Sequence, residues 1–380
     1  MLLNRHRRLG MLAAGTFAAV IALTSCSSGD SGTTSTGGGE VSQEVKDIVA
    51  QYTTEPTEIV QTTPLTKTPE KKKVAFIVCA DPTCSILGDF VKESVEALGW
   101  EYTGINAPAT DFGSAVQQAV DLKVDYIAGT GSDVATFQNA FDSAKAAGIP
   151  YFSCYASDVP EGEANNLFAD CADLTAIDTY SRALTSWVIE DSGASANIGV
   201  VNVPEFPTLS NAVPDVKKTL DELCDTCTSA PIDISVDVLS SGGATNTIIS
   251  YLQSNPDVNY LYLAFGDFEP GLRSALNSAG LEHVKIVGVQ AQQPQIQSVV
   301  NGETSAWIAA PQENNMWTLT DQMARVANGE WSVENERASA VPAFFIVDSK
   351  EEAQSIADLT DGWPGPKDFK EQFKKLWGVN

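Results

Sequence analysis

The chain has 380 residues, room for two to three domains at about 100–200 residues each. With 43% hydrophobic and 19% charged residues it can bury real cores and is no disordered polyelectrolyte. Its 49 Asp+Glu against 23 Lys+Arg give a formal charge of -26, a field that repels nucleic-acid phosphates, and its two histidines, His6 and His283, exclude a His-rich zinc site.

The first element is an address. Arg5, Arg7 and Arg8 form a positive head, followed over 10–23 by an apolar run too short to span a bilayer comfortably. It ends in Leu23-Thr24-Ser25-Cys26, which looks like a bacterial lipobox: small residues before a cysteine that takes lipid and becomes the new N-terminus. Residues 1–25 are thus expected to be removed, with Cys26 lipidated and 26–70 a flexible tether whose Gly/Ser/Thr-rich part is 30–39. Removing 1–25 takes away three arginines and no acid, so the charge falls to -29. An ordinary cleaved secretory signal or a retained anchor are the alternatives.

From Lys71 one unit repeats. The periodicity predicts strands at 74–78, 102–105, 125–128 and 149–153, alternating with helices at 86–98, 112–122 and 132–147. The pattern restarts with a helix at 174–189. Strands follow at 198–201, 232–238, 260–264, 286–289, 306–309 and 343–347, with helices at 209–223, 244–252, 268–279 and 316–326. Apolar strands alternating with helices of this length imply an α/β fold: parallel sheets with helices on both faces, in two Rossmann-like lobes. Ligands on such sheets bind beyond the carboxyl ends of the strands, so two facing lobes make a cleft.

Lipidation of Cys26 leaves Cys79, Cys84, Cys154, Cys171, Cys224 and Cys227, an even number suited to three disulfides in an exported protein. Local spacing favours Cys79–Cys84, Cys154–Cys171 and Cys224–Cys227, although the sequence alone allows 15 pairings. Cys224-Asp-Thr-Cys227 could instead be a redox pair, but it follows a helical pattern and lacks the setting at a helix start that such pairs use.

No motif points to an enzyme, and no cofactor is expected. Gly129-Thr-Gly131-Ser-Asp-Val echoes a dinucleotide loop but lacks the third glycine. Neither a phosphate-binding Gly-x-x-x-x-Gly-Lys-Ser/Thr nor a Gly-x-Ser-x-Gly elbow occurs. The acid pairs Glu161/Glu163 and Glu351/Glu352 read as solvated faces, and His283 as a surface residue of a polar turn.

Several short runs go beyond a generic α/β pattern: Lys73-Val-Ala-Phe-Ile77, Ala97-Leu-Gly-Trp100, Val124-Asp-Tyr-Ile127, Ala144-Lys-Ala-Ala-Gly-Ile-Pro150, Leu252-Gln-Ser-Asn-Pro-Asp257 and Lys285-Ile-Val-Gly-Val289. Together, over roughly 71–347, the chain resembles the type I periplasmic binding proteins of the ribose/sugar ABC-transporter group. The resemblance implies a three-strand hinge with crossings near 171–174, 310–312 and 339–341. Lobe 1 would then be 71–171 plus 312–338, and lobe 2 would be 172–311 plus 339–380. It also implies solute capture between the lobes, delivery to ABC permease subunits in the membrane, an extracytoplasmic location, and action as a monomer. A ligand-sensing module for a membrane receptor shares the fold, and a thiol oxidoreductase at Cys224 and Cys227 is the remaining alternative.

The loops after the strands are expected to line the cleft. Asp81, Asp267, Gln290 and Gln312 suit paired hydrogen bonds to hydroxyls, and Tyr155, Phe206, Phe265, Phe268 and Trp317 suit stacking on apolar ring faces. The sugar binders often carry an Asp-Arg pair after strand four and an Asp after the Val-x-Gly strand. Here those places read Cys154-Tyr155 and Gln290. No lysine or arginine stands in an expected cleft loop, so an anion would lack its counter-charge. A neutral solute follows: a sugar or polyol, with room for a less polar aromatic or terpenoid-like compound.

Overall fold

The computed structural model describes residues 39–80, 82–108 and 110–379. The expected leader, the lipobox with Cys26, and Asp81 lie outside these residues.

The first sheet contains β1 (Lys73–Val78), β2 (Glu101–Asn106), β3 (Tyr126–Thr130), β4 (Tyr151–Cys154) and β5 (Leu167–Cys171), all parallel, in the order β2-β1-β3-β4-β5. The second contains β6 (Asn197–Asn202), β7 (Thr228–Asp233), β8 (Tyr260–Leu263), β9 (Lys285–Gly288), β10 (Ala306–Ala309) and β11 (Phe345–Val347), in the order β11-β10-β9-β8-β6-β7. Only β11 runs antiparallel. Counted from its own first strand, the first sheet has the order 2-1-3-4-5 and the second the same order with a sixth strand added at its end, so each reverses strand order beside its first strand and opens a crevice there. Apart from the first residues of β1, β6 and β9 the central strands are buried, as parallel sheets covered on both faces require, whereas the edge strands β2 and β7 each bury a single residue.

The chain passes between lobes after β5, after β10 and before β11. Helix Leu174–Asp191 buries Ala176, Ile177 and Leu184 in the second core, and helix Gln312–Asn328 buries Met316, Leu319 and Met323 in the first. Two further passages exist. Helix Gln43–Tyr52, within the stretch expected to be tether, is capped by Ser42, whose Oγ accepts the Val45 N–H at 3.2 Å, and buries Val45 and Val49 in the second core. Arg182 holds it down through Glu44 at 2.9 Å. The chain then crosses so that Ile59 joins the first core. At the other end Trp363 packs on Phe345 in the second core, while helix Phe369–Trp377 puts Phe369, Phe373 and Trp377 into the first. The 339–380 segment therefore packs on both cores, because three aromatics at i, i+4 and i+8 form one apolar face that rests on Trp317 of the helix Gln312–Asn328. Trp363 Nε1 donates to Glu55 Oε1 at 3.0 Å and so joins the two extra straps.

Three local departures have clear causes. The expected strand 232–238 ends at Asp233, since Ser235 caps a short helix Val236–Ser240. The expected helix 132–147 is a turn at Val134–Thr136 followed by helix Gln138–Ala146. Strand β5 carries a bulge against β4, with Ala169 at φ 61°, which hides its alternation from sequence.

The cysteines pair as Cys79–Cys84, Cys154–Cys171 and Cys224–Cys227. The first two stand at the carboxyl edge of the first sheet, where the strands point toward the cleft. The third closes the turn into the amino end of β7, at the opposite edge of its sheet.

Candidate functional site

The loops beyond β2, β3, β4 and β6 enclose an open cavity of about 900 Å³ between the lobes. Asp111, beyond β2, caps helix Phe112–Asp121 by accepting the Ser114 N–H at 3.0 Å, which brings Phe112 to the cavity wall. Phe112 rests on Phe137 at 5.1 Å, and Phe137 on Tyr151 at 5.3 Å. A Cβ on Gly129 would come within 2.5 Å of Tyr151 Oη and 2.9 Å of Phe112 Cζ, so this glycine makes room for rings. Gly131, at φ 73° in open space, only turns the chain. The dinucleotide-like spacing is thus a packing device.

The loops after β3 and β4 hold each other. Asp133 accepts the Ser157 N–H at 2.7 Å and the Ser157 hydroxyl, and Asp158 accepts the Val134 N–H at 2.8 Å. Burial pushes the Asp158 carboxyl above the usual carboxylate range; the Val134 N–H offsets part of this and the Asp133 charge adds to it. Tyr155, at φ 54°, is fixed on both sides. Its N–H donates to Cys171 O at 3.0 Å, and its hydroxyl accepts the Asn315 amide at 2.6 Å. Burial raises the phenol pKa, with the Asn315 bond as a smaller opposing effect, so it stays a neutral aromatic plate. From the second lobe come Glu205, Phe206, Pro207 and Thr208. Glu205 accepts the Val236 N–H at 3.3 Å, and Phe206 is 46% exposed.

Hydroxyls, amides, carboxylates and aromatic faces line this cavity, and none of the described residues that line it is a lysine or arginine. Such a surface can pair with hydroxyl groups and cover apolar ring faces, but it has no counter-charge for an anion. Among the described residues no group of three or more His, Cys, Asp or Glu could hold a metal ion.

Residues 75–330 match the family model of the periplasmic binding protein domain. The chain belongs to the periplasmic binding protein family. A search of curated protein sequences returns no match. Among solved structures, a periplasmic solute binding protein of an ABC transporter from Actinobacillus succinogenes, with bound D-allose, aligns with TM-score 0.59 and 17% identity, over 75% of this chain and 100% of its own. A carbohydrate transporter from Acidothermus cellulolyticus, in complex with myo-inositol, gives 0.57 and 16% over 77% and 99%. A periplasmic ribose ABC transporter from Conexibacter woesei gives 0.60 and 12% over 77% and 96%. At these identities the likeness is one of fold, and the fold is the two-lobed α/β architecture of type I periplasmic binding proteins.

In this periplasmic binding protein Tyr155 and Phe206, one from each lobe, meet at the cavity. Phe265 is half-buried against the second core, Asp267 is exposed, and Gln290, at φ 60°, is half-buried. Gln312, the first residue of its helix, is also half-buried. Phe265, Asp267 and Gln290 share the carboxyl edge of the second sheet with Phe206, but neither they nor Gln312 line the cavity in this conformation. Two aromatics are corrected. Phe268 is 2% exposed, a core residue that turns its edge to Phe265 at 6.4 Å. Trp317 is 1% exposed and stacks on Trp377 at 5.4 Å, because its helical spacing points it into the first lobe. The residues that sequence reasoning missed, Asp111, Phe112 and Ser114, carried a faint signal: an Asp before a helix, just after a strand.

Proposed function

We propose that the protein is a lipid-anchored, extracytoplasmic solute-binding subunit of an ABC importer that captures a neutral sugar or polyol between its lobes. One observation carries the reading: a cavity of about 900 Å³ lined from both lobes by hydroxyl, amide, carboxylate and aromatic groups and, among the described residues, by no cation. Tyr155 and Phe206 would sandwich the apolar face of the solute, and Ser114, Ser132, Gln138 and Ser157 would meet its hydroxyls. Rotation about the crossings would bring Phe265, Asp267 and Gln290 onto the ligand, so that closed-state contacts select the closed state. Anchoring through Cys26 rests on the lipobox-like residues alone, and delivery to a permease on family membership.

Thermal unfolding with D-allose, D-ribose, myo-inositol and glycerol, each at millimolar concentration, tests the binding reading. A solute present at about 100 times its Kd should stabilise by about 2.7 kcal/mol. Phosphate, sulfate and a dicarboxylate should leave the transition unmoved. Stabilisation by the anions and by none of the neutral solutes would sink the reading.

A further inference from the structure

A buried acid stands at the hinge. Glu336, on helix Val333–Ser339, is 3% exposed, and neither carboxyl oxygen has a hydrogen-bond partner. The indole N–H of Trp331, itself buried without a partner, lies near it and favours its charged form. Four residues on, Ala340 O accepts the Ala172 N–H at 3.3 Å, which ties the third crossing to the first. At that first crossing Asp173 caps the helix that opens the second lobe, accepting the Thr175 and Ala176 N–H groups. A carboxyl without partners, buried beside a fixed carboxylate across a moving joint, is stable there only with its proton on.

We propose that Glu336 is a proton-operated latch between the lobes: with its proton it lets the helix Val333–Ser339 stay packed at the crossing, and on losing it the new charge repels Asp173 and loosens the joint. Burial, with Asp173 adding and Trp331 and Arg337 opposing, raises its pKa from 4.5 to about 8, which puts the event in an accessible range. The other charges around it do not neutralise it. Arg337 follows it on the same helix but is exposed, as is Glu334. On helix Gln312–Asn328 Arg325 is engaged by Asp321 at 2.7 Å and by Thr63 O at 2.9 Å, and Glu313 pairs with Lys370. Opening that hydrates Glu336 lowers its proton affinity, so rising pH favours the opened form and falling pH this one. The latch assumes that the lobes move, as the proposed function does, but it needs no particular solute.

Small-angle scattering and hydrogen exchange over residues 333–345, on solute-free full-length mature protein from about pH 6 to about pH 9.5, test it. The ratio of wild-type to Glu336→Gln exchange rates cancels the intrinsic effect of pH. It should rise at least about tenfold across the range, the scale of one pKa unit of coupling. The wild-type radius of gyration should grow while that of Glu336→Gln stays flat. Asp173→Asn, which keeps the cap but removes the charge, should move the wild-type midpoint to lower pH. It stands as the second variant if Glu336→Gln does not fold. A flat ratio, a Glu336→Gln profile that follows wild type, or an unmoved midpoint in Asp173→Asn overturns the latch. If a neutral solute binds while the radius never responds to pH, the latch fails and the binding reading survives. If the radius responds while the anions stabilise the protein and no neutral solute does, the reverse holds.

Discussion

At the scale of single residues, exposure separates the proposed ligand plate from a core ring. Phe206 is nearly half exposed, whereas Trp317 is buried and packs on Phe369, Phe373 and Trp377. Phe206→Ala should therefore weaken the solute that stabilises the protein by about 5–20-fold, as loss of one aromatic contact does, and leave unfolding in urea unchanged within about 0.5 kcal/mol. Trp317→Ala should cost about 3–5 kcal/mol of stability. Equal stability losses in the two would contradict this assignment. Gly129→Ala should cost about 1–3 kcal/mol by overpacking against Tyr151 and Phe112, measured by the same urea titration. The aromatic candidates looked alike in sequence because each stands in a loop or at a helix start. What distinguishes Phe268 and Trp317 is a partner surface from elsewhere in the chain.

At the scale of elements, the ends of the chain are structural. Helix Gln43–Tyr52 was hidden by the Gly/Ser/Thr-rich run before it, yet Ser42 as cap and the Val45/Val49 pair at i, i+4 were readable. Val45→Asp buries an unpaired charge against helix Leu174–Asp191 and should lower stability by about 2–4 kcal/mol, whereas a flexible tether would tolerate it. A thermal melt decides between them. The disulfides differ by the loop they close. Replacing Cys154 and Cys171 by serine should cost about 3 kcal/mol, and replacing Cys224 and Cys227 about 2 kcal/mol, since the chain-entropy gain grows with loop length. If the shorter bridge proves the more costly, loop entropy is not what it contributes.

At the scale of the molecule, protons couple to folding. Burial raises Glu336 to about 8 and Asp215 to about 6; at Asp215 the Asp178 charge adds and Lys218 opposes. Both folded-state values lie above the unfolded ones, so the native chain binds more protons than the unfolded chain between about pH 4 and about pH 8. This contribution is fully present below the unfolded values and is lost as pH rises through the folded ones. Stability from urea titrations should therefore fall from about pH 5 to about pH 8, and Glu336→Gln should flatten the upper part of that fall. A rise over the same range in wild type would show that other groups dominate.

The two-lobed α/β plan and the strand–helix order were legible by periodicity, because each strand and helix must bury its own apolar face wherever its neighbours lie. Tertiary structure alone decided which loops meet. Asp111 and Phe112 reach the cavity because β2 stands beside β1 at the point where strand order reverses, and that adjacency is a property of the sheet. It alone also put the C-terminal aromatics on the first lobe and buried Glu336 beside the crossing. Both depend on surfaces brought together from distant parts of the chain, which no local pattern encodes.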